Sequence, residues 1–363
     1  MRTIHVLHIV PTLSAGGMEL ALSRVANGLL DDGITHTVVA LKGDALIRER
    51  FSSSVAIHCL HAHSSGPGVP LELRRLIREI RPTLIHARNL WAWPEVALAR
   101  LSTRPMPPLI FSFHGLAEAK ALPWRWKMMS RALTHVTTRM FTVSEGSRDF
   151  LVDHVGLPKS RIAVIPNGVD VDRFSPRPVE HSRQELAIGT LGSLSPVKNQ
   201  ALLILACHKL IQRGLNLVLR IGGEGRMRGE LSALIESLGI ADRVQMAGQV
   251  SDSAAFLQDL DIFALPSDSE AHPNALSEAM ACALPCIASR VGGVPEVTDR
   301  GRAALLFKAG DLDALVSGLS SLARQDELRQ RLGEAARRYT CEHYSMDLML
   351  KRYRDLYCQL SCA

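Results

Sequence analysis

Residues 4–41, IHVLHIVPTLSAGGMELALSRVANGLLDDGITHTVVAL, contain two short β-branched runs on either side of a longer amphipathic stretch. The runs IHVLHIV and HTVVAL have the length and composition of buried strands, and MELALSRVANGLL has its apolar residues at helical spacing. This order of strand, helix and strand predicts a parallel sheet that is flanked by helices.

The same alternation continues along the rest of the chain in two series. The first ends with MFTVS and RIAVIPNGVD, and the second contains AIGTLGS, NLVLRIGGEG, RVQMAGQV, DIFALP, PCIASR and ALLFKAG. Between the two series, the prolines of SPRPVEHSR fix the backbone, and the segment has no apolar periodicity. Both features are typical of an inter-domain connector. We therefore expect two Rossmann-like lobes, over 1–176 and 184–345, and a final helix over 346–363 that packs back on the first lobe.

Composition limits the classes of protein to which the chain can belong. Its 363 residues are 47% hydrophobic and 21% charged, which suits a globular chain with two cores and excludes a disordered or collagen-like one. No apolar run approaches the roughly 20 residues of a membrane-spanning helix, and we interpret the N-terminal stretch as a strand rather than a signal peptide.

Cysteines and charges restrict the partners further. The seven cysteines form no CxxC pair, so we expect reduced thiols and no zinc site. The net charge is +6, and residues 1–180 hold 22 Lys and Arg against 15 Asp and Glu. This excess of positive charge favours an anionic partner, such as phospholipid, a phosphorylated substrate or nucleic acid.

Ligands of parallel sheets bind beyond the carboxyl ends of the strands, so we expect the site in the cleft between two facing lobes. After the first strand, Gly16 and Gly17 open a helix, where free N–H groups attract anions; a simple tight turn is the alternative. In the second lobe, GSLSPVKN at 192–199 places Lys198 at a helix start, which suits a diphosphate. An ordinary exposed lysine is the alternative there.

The third candidate is residues 261–297, DIFALPSDSEAHPNALSEAMACALPCIASRVGGVPEV. Glu270 falls in a loop after a strand, and Glu278 falls inside the helix that Pro273 begins. Two carboxylates at this spacing can face one cleft and accept hydrogen bonds from sugar or ribose hydroxyls. A solvated helix face is the alternative.

Together these pieces resemble the family 4 retaining glycosyltransferases, whose fold is called GT-B. The E-x7-E spacing of Glu270 and Glu278, followed by AMACALP and VGGVPEV, is similar to the donor-binding signature of that family. The resemblance continues in the glycine pair, IPNGVD, GSLSPVKN, IGGEGRMR at 221–228 and GQVSD at 248–252, and thus covers nearly the whole chain. It implies an α/β fold of two Rossmann-like lobes whose parallel sheets face across a central cleft.

The resemblance implies how a nucleotide sugar is held. Glu278 would bind the ribose, and Glu270 would hold the sugar or its phosphates. Backbone groups would help at three positions, Pro273, Asn274 and Ala275.

The family pattern also assigns the remaining donor contacts. Lys198 would neutralise the diphosphate, Val250 would touch the base, and Gly16 and Gly17 would approach the phosphates. A leaving phosphate oxygen is thought to take the acceptor proton in this family, so no dedicated base is required.

Two departures from the family pattern concern the donor. Ser193 stands where the family usually has Arg, and Arg226 or Arg228 are possible substitutes for the missing cation. Ala271 replaces the usual Gly after the first Glu and is followed by His272, which affects the sugar pocket.

Strand-end histidines are further candidates in the first lobe. His114, in FSFHG, resembles the family position where a His faces the reacting centre and the acceptor. His86, Arg88 and Asn89, in TLIHARN, follow another strand on the acceptor or sugar side. For both histidines a structural hydrogen bond is the alternative.

We expect no metal and no other cofactor. D-x-D occurs at three unrelated places, which we interpret as chance. According to the resemblance, the retaining GT-B family does not need a bound metal, and the catalytic groups would be Glu270, His114 and Lys198.

Residues 120–131, KALPWRWKMMSR, contain four cations and two tryptophans but no acid. This composition suits an anionic membrane surface or a lipid-linked acceptor, and a loop with a partly buried aromatic pair is the alternative. No nucleic-acid-binding fold accompanies the segment. The residues of this expected membrane contact are Lys120, Trp124, Arg125, Trp126, Lys127 and Arg131.

The sequence therefore predicts a retaining hexosyltransferase that uses a nucleotide diphosphate sugar, with a UDP-sugar favoured over a GDP-sugar. The acceptor would be a glycan or a lipid-linked glycan of surface polysaccharide synthesis, and the location cytoplasmic, with peripheral contact to the inner membrane face. A GT-B nucleotide-sugar epimerase and a non-catalytic nucleotide-sugar-binding scaffold are the alternatives.

Overall fold

The computed structural model describes residues 3–14, 16–61, 68–101, 103–115, 123–177 and 185–361. The chain divides into two compact units, one formed by Met1–Gly168 with Asp347–Ala363 and the other by Val169–Met346. Each unit contains one parallel sheet. The predicted fold class, two Rossmann-like α/β units, is confirmed.

The first unit is built on a seven-stranded sheet. Its strands are β1 (Ile4–Val10), β2 (Ile34–Ala40), β3 (Ala56–Cys59), β4 (Leu84–Arg88), β5 (Leu109–Phe113), β6 (Arg139–Thr142) and β7 (Ile162–Val164). They lie in the order β3, β2, β1, β4, β5, β6, β7, and all neighbours are parallel. Its helices are α1 (Gly17–Gly28), α2 (Gly68–Ile80), α3 (Trp93–Leu101), α4 (Trp124–Val136), α5 (Glu145–Phe150) and, from the end of the chain, α13 (Met346–Ser361).

The second unit is built on a six-stranded sheet. Its strands are β8 (Leu186–Leu191), β9 (Leu217–Gly222), β10 (Val244–Gly248), β11 (Ile262–Leu265), β12 (Cys286–Ser289) and β13 (Leu305–Phe307). They lie in the order β10, β9, β8, β11, β12, β13, again all parallel. Its helices are α6 (Gln200–Gln212), α7 (Arg228–Ser237), α8 (Ser253–Gln258), α9 (Asn274–Ala281), α10 (Val294–Val297), α11 (Leu312–Arg324) and α12 (Asp326–His343).

Successive side chains along a strand belong to two hydrophobic cores, one on each face of the sheet. In β11, Ile262 and Ala264 belong to the core that α6 and α11 cover, whereas Phe263 and Leu265 belong to the core that α9 covers. Because successive strand side chains point to opposite faces, a strand that is covered on both sides is apolar throughout. This is why these strands occur in the sequence as unbroken apolar runs.

The boundary between the units lies earlier than the predicted limit of 176. Val169 and Phe174 are each about 1% exposed and pack in the core beneath α9. Arg337 of α12 donates from NH1 to the carbonyl oxygens of Val171 and Phe174, at 2.8 and 2.6 Å. Residues 169–174 therefore belong to the second unit, and the first ends at Gly168.

A close approach of three strand ends depends on Gly223. This residue has a φ of +128°, and its N–H donates to the Gly248 carbonyl oxygen at 2.7 Å. A Cβ at this position would collide with the carbonyl oxygen of Gly192. Only glycine thus allows the loops after β8, β9 and β10 to meet.

We expect Gly223→Ala to lower the free energy of unfolding by at least about 2 kcal/mol, since the backbone conformation and the collision both oppose a side chain. Gly229→Ala is the matched control, because Gly229 lies in α7 with no atom near its absent Cβ. That variant should gain about 0.5–1 kcal/mol from helix propensity. Urea unfolding of the two variants tests this, and an equal effect would contradict it.

Candidate functional site

The predicted residues of the second unit follow the carboxyl ends of its strands. Ser193 and Lys198 follow β8, Val250 follows β10 and Glu270 follows β11. In sheet order β8 and β11 are neighbours, although β9 and β10 separate them in the chain. The crevice between such strands is the usual ligand position of open α/β sheets.

Lys198 and Glu270 form an ion pair across this crevice. The lysine Nζ lies 2.6 Å from Oε1 of the carboxylate, and the side chains are 27% and 7% exposed. The Ser267 hydroxyl donates to the same oxygen at 2.7 Å. The loop itself is fixed by a hydrogen bond from the Gly293 N–H to the Glu270 carbonyl oxygen, at 3.1 Å. The carboxylate therefore holds the ammonium group in one place.

The helix α9 begins four residues after Glu270 and carries the second carboxylate. Glu278 is 7% exposed, and Asn274 and Ala275, in the first turn, are half-buried. Pro273 is the buried residue that precedes the helix. Burial, and then the Glu278 carboxylate, raise the pKa of the Cys282 thiol to about 12, so this thiol is kept protonated.

The loop after β8 is bonded to the loop that carries Arg226 and Arg228. Leu194 donates to the Glu224 carbonyl oxygen at 2.9 Å, and Met227 donates to that of Leu194 at 3.1 Å. Arg228 NH1 pairs with Glu224 Oε1 at 2.6 Å, whereas Arg226 is exposed. Of the two predicted substitutes, Arg228 is thus held by Glu224 and Arg226 lies at the surface.

At the first predicted anion site, Gly16 precedes α1 and Gly17 begins it. Sequence reasoning missed the neighbouring carboxylate. Glu19 is 6% exposed, and its Oε1 accepts from the hydroxyls of Thr12 and Ser14, both at 3.3 Å. A Cβ on Gly16 would collide with its Oε2. The first turn of α1 therefore already faces one negative group.

His114, which follows β5, is half-buried and held from two sides. Its Nε2 lies 2.8 Å from Ser112 Oγ and 3.4 Å from Arg88 NH1. Its backbone N–H donates to Asn89 Oδ1 at 2.9 Å, and Asn89 has the left-handed φ of +65°. Asn89 thus fixes the backbone at His114.

His86 and Arg88 were predicted on the acceptor or sugar side, but both are 0% exposed. His86 Nε2 lies 2.8 Å from Ser112 Oγ, and its Nδ1 lies 3.0 Å from the hydroxyl of Tyr357 on α13. Neither residue therefore presents an atom at the surface where a substrate could touch it.

Two further histidines, which sequence reasoning missed, complete a buried polar cluster beneath α13. His8 Nε2 lies 3.0 Å from His36 Nδ1. Burial lowers the pKa of His8 and His86 well below the usual value, and the Arg88 charge lowers both further. The same two causes lower the pKa of His36 to about 3. The three imidazoles are therefore neutral at pH 7.

On the surface, α4 carries the aromatic and basic segment. Trp124 is 65% exposed, while Trp126 is half-buried and packs edge-to-face on Trp91, with ring centroids 4.7 Å apart. Arg125, Lys127 and Arg131 are exposed, and Lys120 lies outside the described residues. In the described ranges no helix is both long and apolar enough to cross a membrane.

Among the residues that the structure describes, no three His, Cys, Asp or Glu side chains are grouped so as to hold a metal ion.

Two family models match consecutive parts of the chain. The model described as Glycosyltransferase Family 4 matches residues 15–173, and the model described as Glycosyl transferases group 1 matches residues 172–339.

Named relatives agree with these matches. WcaL of Escherichia coli (strain K12), which is named as a colanic acid biosynthesis glycosyltransferase, is 35% identical over 180 residues, 47% of this chain and 44% of WcaL. The matched part thus spans less than half of that relative. An Escherichia coli protein named UDP-Gal:alpha-D-GlcNAc-diphosphoundecaprenol alpha-1,3-galactosyltransferase is 23% identical over 305 residues, 79% of this chain and 78% of the relative.

A solved structure has the same fold over the length of the chain. Anabaena Alr3699/HepE, in complex with UDP and glucose, superposes with a TM-score of 0.85 at 19% identity. The match covers 98% of this chain and 100% of HepE.

The buried histidines predict a pH-dependent stability. The unfolded chain protonates them near pH 6.5, whereas the folded chain keeps them neutral, so the free energy of unfolding should fall as the pH drops below about 6.5. For His36 this loss continues to a pH of about 3. Each histidine contributes up to about 1.4 kcal/mol per pH unit. Urea unfolding between about pH 7 and pH 5 measures the slope.

His36→Asn should remove about a third of this slope, since it removes one of three such groups. His61→Asn is the control, because the His61 side chain is 60% exposed. Equal slopes in the two variants would contradict the explanation.

Proposed function

Because the chain belongs to the family 4 glycosyltransferases and has their GT-B fold, we propose that it transfers a hexose from a nucleotide diphosphate sugar with retention of configuration. The UDP and glucose in the HepE structure support a UDP-sugar as donor, ahead of a GDP-sugar. The colanic acid function in the name of WcaL, and the diphosphoundecaprenol in that of the galactosyltransferase, support a glycan or lipid-linked acceptor in surface polysaccharide synthesis.

The observation that carries this proposal is the ion pair of Lys198 and Glu270. A departing nucleoside diphosphate gains negative charge on its phosphate oxygens, and a cation already fixed beside them stabilises that charge without rearrangement. Glu270 and Ser267 supply this fixation, at 2.6 and 2.7 Å. We assign the diphosphate to Lys198, with Arg226 in support where Ser193 offers no charge, and the sugar to Glu270.

The start of α9 supports the rest of the donor assignment. The N–H groups of Asn274 and Ala275 lie in the first turn of α9, a position that suits phosphate or sugar oxygens. About one turn later, Glu278 suits the two ribose hydroxyls, since a carboxylate accepts two hydrogen bonds. Val250 packs near Gly222, where we place the base. With Lys198 as the cation, transfer proceeds without a bound metal.

Lys198→Met should weaken UDP binding about ten- to hundredfold, because a charged hydrogen bond contributes about 1.5–3 kcal/mol. Lys209→Met is the matched control, since Lys209 of α6 also forms an ion pair, with Asp313 at 2.9 Å. The measurement is the shift in Tm with UDP, GDP, ADP and UDP-glucose, which ligands of the native state raise by mass action. Equal losses in both variants would contradict the assignment, and a stronger shift with GDP would overturn the donor.

Product analysis of reactions with and without acceptor separates the alternative functions. A transferase releases UDP only when acceptor is present, an epimerase converts the donor without acceptor, and a scaffold binds without turnover. The anomeric configuration of the product decides retention.

We also propose peripheral contact with an anionic membrane through α4 and its neighbours. Of the eight large apolar side chains that are exposed among the described residues, seven lie on or beside α2, α3 and α4. These helices pack against one core and thus cover one face of the sheet. We call their outer surface the α2–α4 face, and its exposed apolar residues are Leu71, Trp91, Leu98, Leu101, Met106, Trp124 and Met128.

Charge on the α2–α4 face favours anionic lipid as the partner. α4 has three exposed cations, Arg125, Lys127 and Arg131, and no acid. Each basic residue near an anionic surface contributes about 1 kcal/mol, and indole rings favour the interface. A lipid-linked acceptor would be reached at such a surface.

The double variant Leu98→Glu, Leu101→Glu should bind phosphatidylglycerol vesicles at least about tenfold more weakly, because it adds charge repulsion and removes apolar contact. Leu46→Glu is the control, since Leu46 is 68% exposed but lies away from this face. Sedimentation with phosphatidylglycerol and with phosphatidylcholine vesicles measures binding. No preference for the anionic vesicles, or an equal loss in the control, would overturn the membrane contact.

A further inference from the structure

Ser267 is a buried serine that lies between the end of β11 and the Glu270 carboxylate. It follows the strand by two residues and is 0% exposed. Its hydroxyl donates to Oε1 of Glu270 at 2.7 Å, and the same oxygen accepts from Lys198 Nζ at 2.6 Å. In the described part of the chain, both hydrogen bonds to this carboxylate therefore end on one oxygen.

The two oxygens of Glu270 thus have different surroundings. A carboxylate oxygen offers about two lone-pair sites, so Oε1 already has its full number of partners. Oε2 accepts no hydrogen bond from any residue that the structure describes. It is also not one of the fully buried atoms that lack a partner, so it keeps contact with solvent although the side chain is only 7% exposed. One oxygen is held by the protein, and the other can accept from a ligand.

Lys198 alone does not fix the plane of this carboxylate. The last torsion of a glutamate side chain is broad and roughly two-fold, so a carboxylate that is bound by one ammonium group can turn about that contact. Lysine is a flexible point charge with three rotatable donors, and Lys198 is 27% exposed. A second donor at a different position removes the freedom to turn. Ser267 is that donor, and its short side chain is enclosed on all sides.

The backbone around Ser267 is itself held from both strands that neighbour β11. The Ser289 hydroxyl, at the end of β12, lies within hydrogen-bonding distance of the carbonyl oxygens of Leu265 and Ser267. On the other side, the Asp268 N–H donates to the Val197 carbonyl oxygen in the loop after β8, at 2.8 Å. The serine hydroxyl therefore has a set position relative to the loop that carries Lys198.

We propose that Ser267 is a positioning residue for the donor sugar, because it fixes the plane of the Glu270 carboxylate and so keeps Oε2 in place to accept hydrogen bonds from sugar hydroxyls. This inference rests on the proposed transfer and on the assignment of the sugar to Glu270. Ser267 acts through Glu270 and does not contact the donor, since it is fully buried and its proton is directed to Oε1.

The consequence is an effect on the sugar that spares the nucleotide. An acceptor that is already oriented loses less conformational freedom when the sugar binds. Without Ser267 that ordering must occur on binding, whereas Lys198 remains available to the diphosphate. Loss of the hydroxyl should therefore weaken binding of a nucleotide sugar more than binding of the nucleotide alone.

Isothermal titration calorimetry with UDP and with UDP-glucose tests this difference. Ser267→Ala should bind UDP-glucose about tenfold more weakly, the effect of one hydrogen bond to a charged group, and its Kd for UDP should stay within about twofold of the wild-type value. A general loosening of the loop would weaken both ligands together, so the ratio of the two Kd values separates positioning from a structural role. An unchanged ratio would overturn the proposal.

Thr298→Val is the matched control. It also removes a fully buried hydroxyl of the second unit, but the Thr298 hydroxyl donates to the Val294 carbonyl oxygen at 2.9 Å and not to a carboxylate. This variant should leave the ratio of the two Kd values at the wild-type level. A change in the ratio as large as that of Ser267→Ala would contradict the specific role of Ser267.

Crystal structures without ligand test the geometric part independently of any nucleotide. In the wild type the carboxylate should have one orientation, and in Ser267→Ala its plane should turn or occupy more than one orientation. A single, unchanged orientation in the variant would overturn the proposal whether or not the protein is a transferase. If the wild type binds neither UDP nor UDP-glucose, the donor assignment fails, and the crystal structures still decide whether Ser267 orients Glu270.

Discussion

In a parallel sheet every strand runs in the same direction, and the rest of this molecule depends on that constraint. All the loops that follow strands emerge at one edge, so side chains distant in sequence meet there without special contacts. Lys198 and Glu270 are 72 residues apart in the chain, yet they face each other because β8 and β11 are adjacent. In the second unit the position of this ion pair is a consequence of where the strand order reverses.

The two units use this edge in different ways. In the second, Lys198 is partly exposed, and its ion pair with the buried Glu270 holds a cation in the same loop region as the first turn of α9. In the first, the three histidines and Arg88 are buried under α13, whereas His114 and the start of α1 are partly exposed. Electrostatic interactions within such a buried polar network are strong, because few water molecules screen them.

Much of the fold could be predicted because the signals are local. Short β-branched runs and helical spacing mark the strands and helices, and Lys198, Glu270 and Glu278 attract notice because each follows a strand. The ion pair itself could not be predicted, since no spacing indicates that β8 and β11 are neighbours. Ser112 and Tyr357 were missed for a related reason. A serine within a strand is unremarkable, and Tyr357 contacts a histidine 271 residues away. The predicted limit of the first unit, residue 176, lies beyond the observed end at Gly168. Prolines mark 176 and 178, whereas Val169 and Phe174 are buried in the second unit by tertiary contacts that no local pattern indicates.

The position of α13 has a consequence for synthesis on the ribosome. The sheet of the first unit is translated first, but Tyr353 and Tyr357, which cover its buried histidines and Arg88, are translated after the whole second unit. At about 5–20 residues per second, that delay is on the order of ten seconds or more. During this time the nascent first unit has an uncovered cationic and imidazole-rich face. Its native polar network is completed only after the segment that follows the second unit has been translated.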